Sequence, residues 1–413
     1  MIIWNELKKI WNVKILVILF VLSGLYFIIT MNDRIQNYPS GTWLFDVDVA
    51  HHLTEHYGTA LEQDEFESFL KDREVIISEL DAFIASNTVF TGAGIYDFQD
   101  YENFREDFHS RYDTRGEAET NLWIAISNEW GGVLRIQIDG EWVDFVSGNE
   151  TPAAYARYIG FSNVVEMYQS QWQENINSFM ESMPLSERQA QRVLEIRDSG
   201  EMFGILSQHT VFHTWQYAQA LAGLVILATL MLVSPLITTD RASKVKALQY
   251  SSTTGRGILR KQFAATIISA IMAATLFVLC FAGIFIGATG TQAFWMNGIN
   301  SFMSFPYHWL SVTYGQYCLL LIGLIYLLSV TAAAFAFVLS RFSQSMIVLI
   351  CKAIPALVAA AFLSNWLLDE FLGIYVGGNV LLKAFFISAL FAAAIGIAVY
   401  VMVKEKKKDV LGI

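Results

Sequence analysis

Cysteine, proline and charge are all scarce in this chain. Its 413 residues hold three cysteines and six prolines, and only 16% of them are charged. Cys280, Cys318 and Cys351 all fall in long apolar runs, so the stretch from Asn32 to Phe212 has none and must fold without disulfides. With 54% hydrophobic residues, the composition is too apolar for an ordinary soluble protein, in which about a quarter of residues are charged. No G-x-x-x-x-G-K-[ST] stretch occurs, which excludes a P-loop nucleotide site in this chain. No D-x-[DN]-x-[DN]-G loop occurs, which excludes an EF-hand, and no fixed-period repeat is present.

The charges that do occur are sorted by position. Residues 32–212 carry 32 Asp and Glu against 11 Lys and Arg, a net of −21; the rest carries 6 against 16, a net of +10. A bilayer core about 30 Å thick needs about 20 apolar residues per helical span. Six runs qualify: 15–31, 218–237, 262–288, 317–339, 346–363 and 382–403. Lys8, Lys9 and Lys14 precede the first run, and Arg241, Lys244, Lys246, Arg256, Arg260 and Lys261 fill the second connection. Arg341 follows the fourth run, and Lys404, Lys406, Lys407 and Lys408 follow the sixth. The positive-inside rule then predicts cytoplasmic termini, a multi-pass plasma-membrane protein, and an extracellular acidic domain. The expected fold class is an α-helical polytopic membrane protein with six spans and a mainly helical α+β extracellular domain between the first two.

Residues 1–14 read as an amphipathic helix in the cytoplasmic interface, with Ile3, Trp4, Leu7, Ile10 and Trp11 in one stripe and Glu6, Lys8, Lys9 and Asn12 largely elsewhere. The alternative is an unstructured start to the first span. Residues 15–31 read as an anchoring span rather than a cleaved signal, because no small-x-small site follows.

Within the acidic domain, residues 32–212, the spacing of Phe66, Leu70, Ile76, Ile77, Leu80, Phe83 and Ile84 predicts one long helix. Thr151-Pro152 starts another, and residues 185–197 make a third candidate. Runs 133–138 and 141–146 around Asp139-Gly140 predict a β-hairpin. Residues 290–315, rich in Phe, Trp and Tyr, read as a loop in the outer aromatic belt, and 364–380 as a loop or short helices dipping into the membrane. The remainder, 213–413, is a five-helix transmembrane region.

The connection 238–261, TTDRASKVKALQYSSTTGRGILRK, is polar, basic and helical in character, with Val245 and Leu248 on one face and a Ser-Ser-Thr-Thr-Gly turn before Arg256. An acidic residue closing a span, a short helix, a Ser/Thr-Gly-Arg turn and a Leu-x-Lys re-entry resemble the coupling-helix region of type-2 ABC exporter permeases. The interfacial N-terminal helix, six spans and cytoplasmic termini are similar to that family as well. The acidic insertion between the first two spans departs from the family's smallest members and matches its larger bacterial ones, so it leaves the substrate open. The resemblance implies that separate ATP-binding subunits, which bind the ATP and magnesium, dock on the cytoplasmic face. It also implies a second permease copy or a homologue beside this one. Asp240, Arg241, Lys244, Leu248, Ser251, Gly255, Arg256 and Lys261 would then form the ATPase-coupling interface, with no cofactor, metal or catalytic residue in this chain and no role for nucleic acid. The competing account of the same segment is an ordinary basic cytoplasmic loop.

Other clusters have plainer explanations beside the sharp ones. His52 and His56, at i, i+4 with His51 and Glu55 alongside, are spaced like a zinc pair but lack the H-E-x-x-H order and a third ligand. His209 and His213 suit packing at the end of the second span. Asp64 and Glu65 suit a helix start. Lys352 is an ionisable residue inside the fifth run, where snorkelling explains it, and Pro355 should kink that helix. Asp369, Glu370 and Lys383 allow an ion pair at the outer ends of the last two spans. Ser388, Ala392 and Gly396 recur every four residues and permit close helix approach, most commonly within a subunit. Three functions follow: an exporter permease moving a peptide, antibiotic, lipid or ion outward; a membrane-anchored receptor whose acidic domain binds a ligand; and, least supported, a metal-dependent membrane-tethered hydrolase.

Overall fold

The computed structural model describes residues 2–38, 42–111, 116–131, 133–138, 141–146, 151–170, 181, 185–242, 257–304, 307–345, 347–349, 351–352, 354–355, 376 and 380–406. These residues are mostly helical. Among them, five helices are long and apolar enough to cross a membrane: Val13–Gln36, Gln208–Asp240, Ile258–Thr289, Tyr314–Arg341 and Val380–Lys404. Each encloses one of the apolar runs and extends beyond it, because polar residues at a helix end continue the backbone hydrogen-bond ladder once the apolar centre has formed it. The run 346–363 and the segment 364–380 lie largely outside the described residues. Where the former is described, Lys352 Nζ donates to the Phe342 carbonyl at 2.9 Å.

The chain divides into two compact units. One comprises Met1–Gln36, Phe212–Gln292 and Gly315–Ile413; the other comprises Asn37–Val211 and Ala293–Tyr314. The first contains the long apolar helices and the second is the acidic unit.

Hydrophobic burial does not drive helices together in an apolar solvent, so side-chain hydrogen bonds and close packing must hold the span unit. Several bonds do. The Thr229 and Ser329 hydroxyls meet at 2.9 Å, and Ser329 also donates to the Ala270 carbonyl at 3.1 Å. Thr275 meets Tyr326 at 2.7 Å, and Tyr26 donates to the Ala220 carbonyl at 3.1 Å. Two of the long helices widen into π turns, Phe27–Met31 and Val278–Ala282. A π turn loosens the carbonyl ladder; here Tyr217 donates its hydroxyl to the Phe281 carbonyl at 2.9 Å, and the Phe27 and Phe281 rings lie 5.5 Å apart. In the last long helix Lys383, Ile387, Ala394, Ala398 and Val401 are buried, whereas Ser388, Ala392 and Gly396 are exposed. Among the described residues the small-residue stripe therefore does not mediate packing within the subunit, contrary to the commoner expectation. The inward face combines Lys383, Ile387 and Val401 with the small residues Ala394 and Ala398 instead.

The acidic unit is a helical body. Its longest helix, Gln63–Ser86, starts with a capping box in which Glu65 accepts from the Glu62 backbone N–H at 3.0 Å. The helix buries Phe66, Phe69, Ile76, Leu80 and Ile84. It packs against the helix Ala153–Ser170, stacking Phe69 on Phe161 with ring centroids 3.9 Å apart. The helix Thr42–Tyr57 lies against Ala153–Ser170 so closely that a Cβ built on Gly160 would sit 2.6 Å from the Phe45 carbonyl oxygen. A second aromatic centre stacks Trp130 on Tyr155 at 4.2 Å, with Tyr101 edge-on to both. Each such fully buried ring contributes about 1.5–3 kcal/mol, which is how a unit this rich in carboxylates holds together without a disulfide. Strands Val133–Ile138 and Glu141–Val146 pair antiparallel, with Ile138 opposite Glu141 and Val133 opposite Val146.

The aromatic segment expected in the membrane belt is instead part of the acidic unit. Within Ala293–Tyr314, Phe294, Phe302, Tyr307 and His308 are completely buried. Asn297 Nδ2 donates to the Thr54 hydroxyl at 3.0 Å, and Asn300 Nδ2 donates to Glu201 at 2.7 Å. Aromatic content alone does not separate a membrane belt from a packed insertion. The buried asparagines, which need protein partners, are the distinguishing feature.

Candidate functional site

Only six carboxylates lie outside residues 32–212, and the structure brings two of them together. Glu6 sits on the N-terminal helix Ile2–Ile10, and Asp240 in the last turns of Pro235–Ala242, the tail of the second long helix. Both are buried, at 3% and 6% exposure. Lys9 Nζ donates to Glu6 Oε1 and to Asp240 Oδ1, each at 2.9 Å. Gln262, in the second turn of the helix Ile258–Phe277, completes the group: its amide nitrogen donates to Asp240 Oδ2 at 2.6 Å and to Glu6 Oε2 at 3.2 Å. All four carboxylate oxygens thus have a donor.

Local sequence explains how each residue arrives. Glu6 and Lys9 are three apart and share one face of the short helix. Pro235 follows a turn at Ser234 and restarts the helix, which carries Asp240. The positive end of the helix dipole at the start of Ile258–Phe277 favours carboxylates nearby. Trp11 ties the same N-terminal segment to the Ile258–Phe277 helix a second time, donating its indole N–H to Ser269 Oγ at 3.2 Å.

The electrostatics favour a fixed ion group. Burial works to lower the Lys9 pKa, but the hydrogen bonds to Asp240 and Glu6 outweigh it and raise the value above the ordinary lysine range. Lys9 therefore stays charged throughout the physiological range. The two carboxylates are buried but the Lys9 side chain is 41% exposed, so deleting it costs less than the roughly 3–5 kcal/mol of a fully buried pair. This group is a tie between chain segments, and nothing in it constitutes a nucleophile–base pair.

Of the residues expected at the coupling interface, Asp240 is in this group and Lys261 adjoins Gln262. Arg241 continues the Pro235–Ala242 helix in its backbone. Lys244, Leu248, Ser251, Gly255 and Arg256 lie outside the described residues. Glu6, Lys9 and Gln262 were not expected there. Glu6 was grouped with the polar side of an interfacial helix, yet it and Ile10 face inward, while Ile3 and Trp4 remain exposed. The available signal was the rarity of acidic residues: Glu6 is the only one before Asp33.

The structure gives each histidine of the cluster other partners. His52 Nε2 meets Asp72 Oδ2 at 3.4 Å, His56 Nδ1 bonds the His52 carbonyl at 2.9 Å, and the His51 ring lies 4.3 Å from that of Phe294. Among the described residues no three His, Cys, Asp or Glu side chains converge for a metal.

No protein-family model matches the chain, and it gives no significant match to curated proteins or to solved structures.

Proposed function

We propose that this chain is the membrane-spanning permease subunit of an ATP-driven exporter, with the segment between Asp240 and Gln262 receiving movement from separate ATPase subunits. The observation that carries it is the Glu6–Lys9–Asp240–Gln262 group. Asp240 and Gln262 flank the connection 243–256, and a partly buried ion group fastens both to the N-terminal helix. A displacement of that connection would pull on two spans and the N-terminal helix together. An ordinary cytoplasmic loop needs no such fastening, since basic residues alone satisfy the positive-inside rule.

The rest of the arrangement follows from the same proposal. The chain has six spans, cytoplasmic termini and a mainly helical extracellular domain carrying a β-hairpin. ATP and magnesium are bound by the partner ATPase, and a second permease copy completes the pathway. The exposed stripe of Ser388, Ala392 and Gly396 is a surface such a copy could approach closely. The test is co-purification with an ATP-binding subunit encoded beside this gene and stimulation of its ATP hydrolysis. Absence of both would overturn the proposal.

A receptor whose acidic unit binds a ligand is the second reading, favoured by one observation: a 440 Å³ cleft in that unit. ATPase stimulation separates the two, because a receptor without a transport role gives none.

A further inference from the structure

The cleft lies within the acidic unit, walled by the helices Thr42–Tyr57, Gln63–Ser86 and Ala153–Ser170. Its volume, 440 Å³, suits a ligand of drug or dipeptide size. Phe45, Val49, Ile76 and Phe161 give it an apolar floor. Val75, also in its lining, is 59% exposed and adds to the apolar surface of the cleft.

The charged groups of the lining are not balanced. Asp48 stands on one wall and Asp72 on another, with His52 beside Asp72 at 3.4 Å. Arg157, the remaining cation, is ion-paired with Glu79, so its charge is already matched. The surrounding stretch 32–212 adds its net −21, a field that concentrates cations at a concave, low-dielectric surface. An apolar floor beneath Asp48 and the His52-paired Asp72 complements an apolar body that carries a positive charge. We infer that this cleft binds a small cationic amphiphile, an aliphatic or aromatic body carrying a positive charge, with the body on the Phe45 and Phe161 floor and the cation between Asp48 and Asp72. Anionic ligands meet the same field with the wrong sign and are rejected.

This inference does not depend on the exporter proposal, because binding is measured without any ATPase present. The experiment titrates the full-length protein in lipid nanodiscs with N-acetyl-phenylalanyl-arginine amide by calorimetry. The expected result is one saturable site. N-acetyl-phenylalanyl-glutamine amide, without the charge, and N-acetyl-glycyl-arginine amide, without the ring, should each bind about tenfold more weakly or worse. The double variant Asp48→Asn/Asp72→Asn should weaken the cationic probe about tenfold while leaving the neutral one unchanged. Ala153→Trp, at an exposed position on the cleft wall, should block the site in a protein with unchanged circular dichroism. No saturable binding, equal affinity for the neutral analogue, or indifference to the aspartate pair would overturn the assignment.

Discussion

Lys9 holds Glu6 of its own helix and Asp240, 231 residues away, with one ammonium, at 2.9 Å to each. Removing that ammonium leaves two buried carboxylates facing each other. The Lys9 side chain is 41% exposed, so solvent screens part of the loss, and Lys9→Met should destabilise the contact of the N-terminal helix with the spans by about 1–3 kcal/mol. Hydrogen exchange over residues 2–12 reads this locally. The double variant Glu6→Gln/Lys9→Met should recover much of the loss, since only one carboxylate then remains to be compensated. An additive double variant would show that the two residues do not interact.

Gln262 donates to both carboxylates from full burial. Gln262→Leu should cost about 1–3 kcal/mol, the penalty for leaving buried acceptors without a donor. In a reconstituted complex the same variant should raise ATP hydrolysis relative to transport, as slack at the foot of the connection would require. Tightly coupled transport in this variant would count against a mechanical role.

Leu248 and Arg256 address the coupling proposal directly. Leu248→Asp or Arg256→Glu should uncouple hydrolysis from transport while membrane insertion and expression stay normal. Normal transport by both would defeat the assignment of this connection as the ATPase lever.

Asp46 supplies a pH prediction for the acidic unit. Burial pushes its carboxyl up to about 6, opposed by a hydrogen bond from Asn163 Nδ2 at 3.2 Å, and its Oδ2 has no hydrogen-bond partner. A carboxyl raised in the folded state favours folding most when protonated. Stability should thus be greatest below the unfolded value near 4 and fall as pH rises through about 6. At pH 7.5 the cost approaches about 3 kcal/mol, and Asp46→Asn should remove most of it. Exchange protection of the Thr42–Tyr57 helix, followed from pH 5 to 7.5, should fall in the wild type and stay flatter in the variant.

Gly160 tests the packing that forms the cleft walls. A methyl group there would lie 2.6 Å from the Phe45 carbonyl oxygen and 2.7 Å from its carbon, so the two helices must separate. Gly160→Ala should destabilise the acidic unit by about 1–3 kcal/mol. Gly92→Ala, where nothing lies within 4 Å of the added carbon, is the control and should be neutral or mildly stabilising.

Periodicity and charge carry a great deal of this molecule, because both act locally. A run of 20 apolar residues has few alternatives to a helix, and Phe66, Ile76, Leu80 and Ile84 face inward on the expected helix because a 3.6-residue repeat allows one apolar face. The segregation of carboxylates into 32–212 likewise corresponds to a separate unit. Residues 290–315 read from sequence as a belt loop because the partners of the part that joins the acidic unit, Ala293–Tyr314, lie more than 80 residues earlier in the chain, and aromatic content is the same in a belt and in a core.

The pairing of Glu6 with Asp240 could not be read from the sequence either. Sequence placed a carboxylate on a short helix and another at the end of a span. Only the packing of three helices set both against Lys9 and Gln262, because burying a charge is tolerable only where opposite charge and donors converge, and that convergence is a property of the fold.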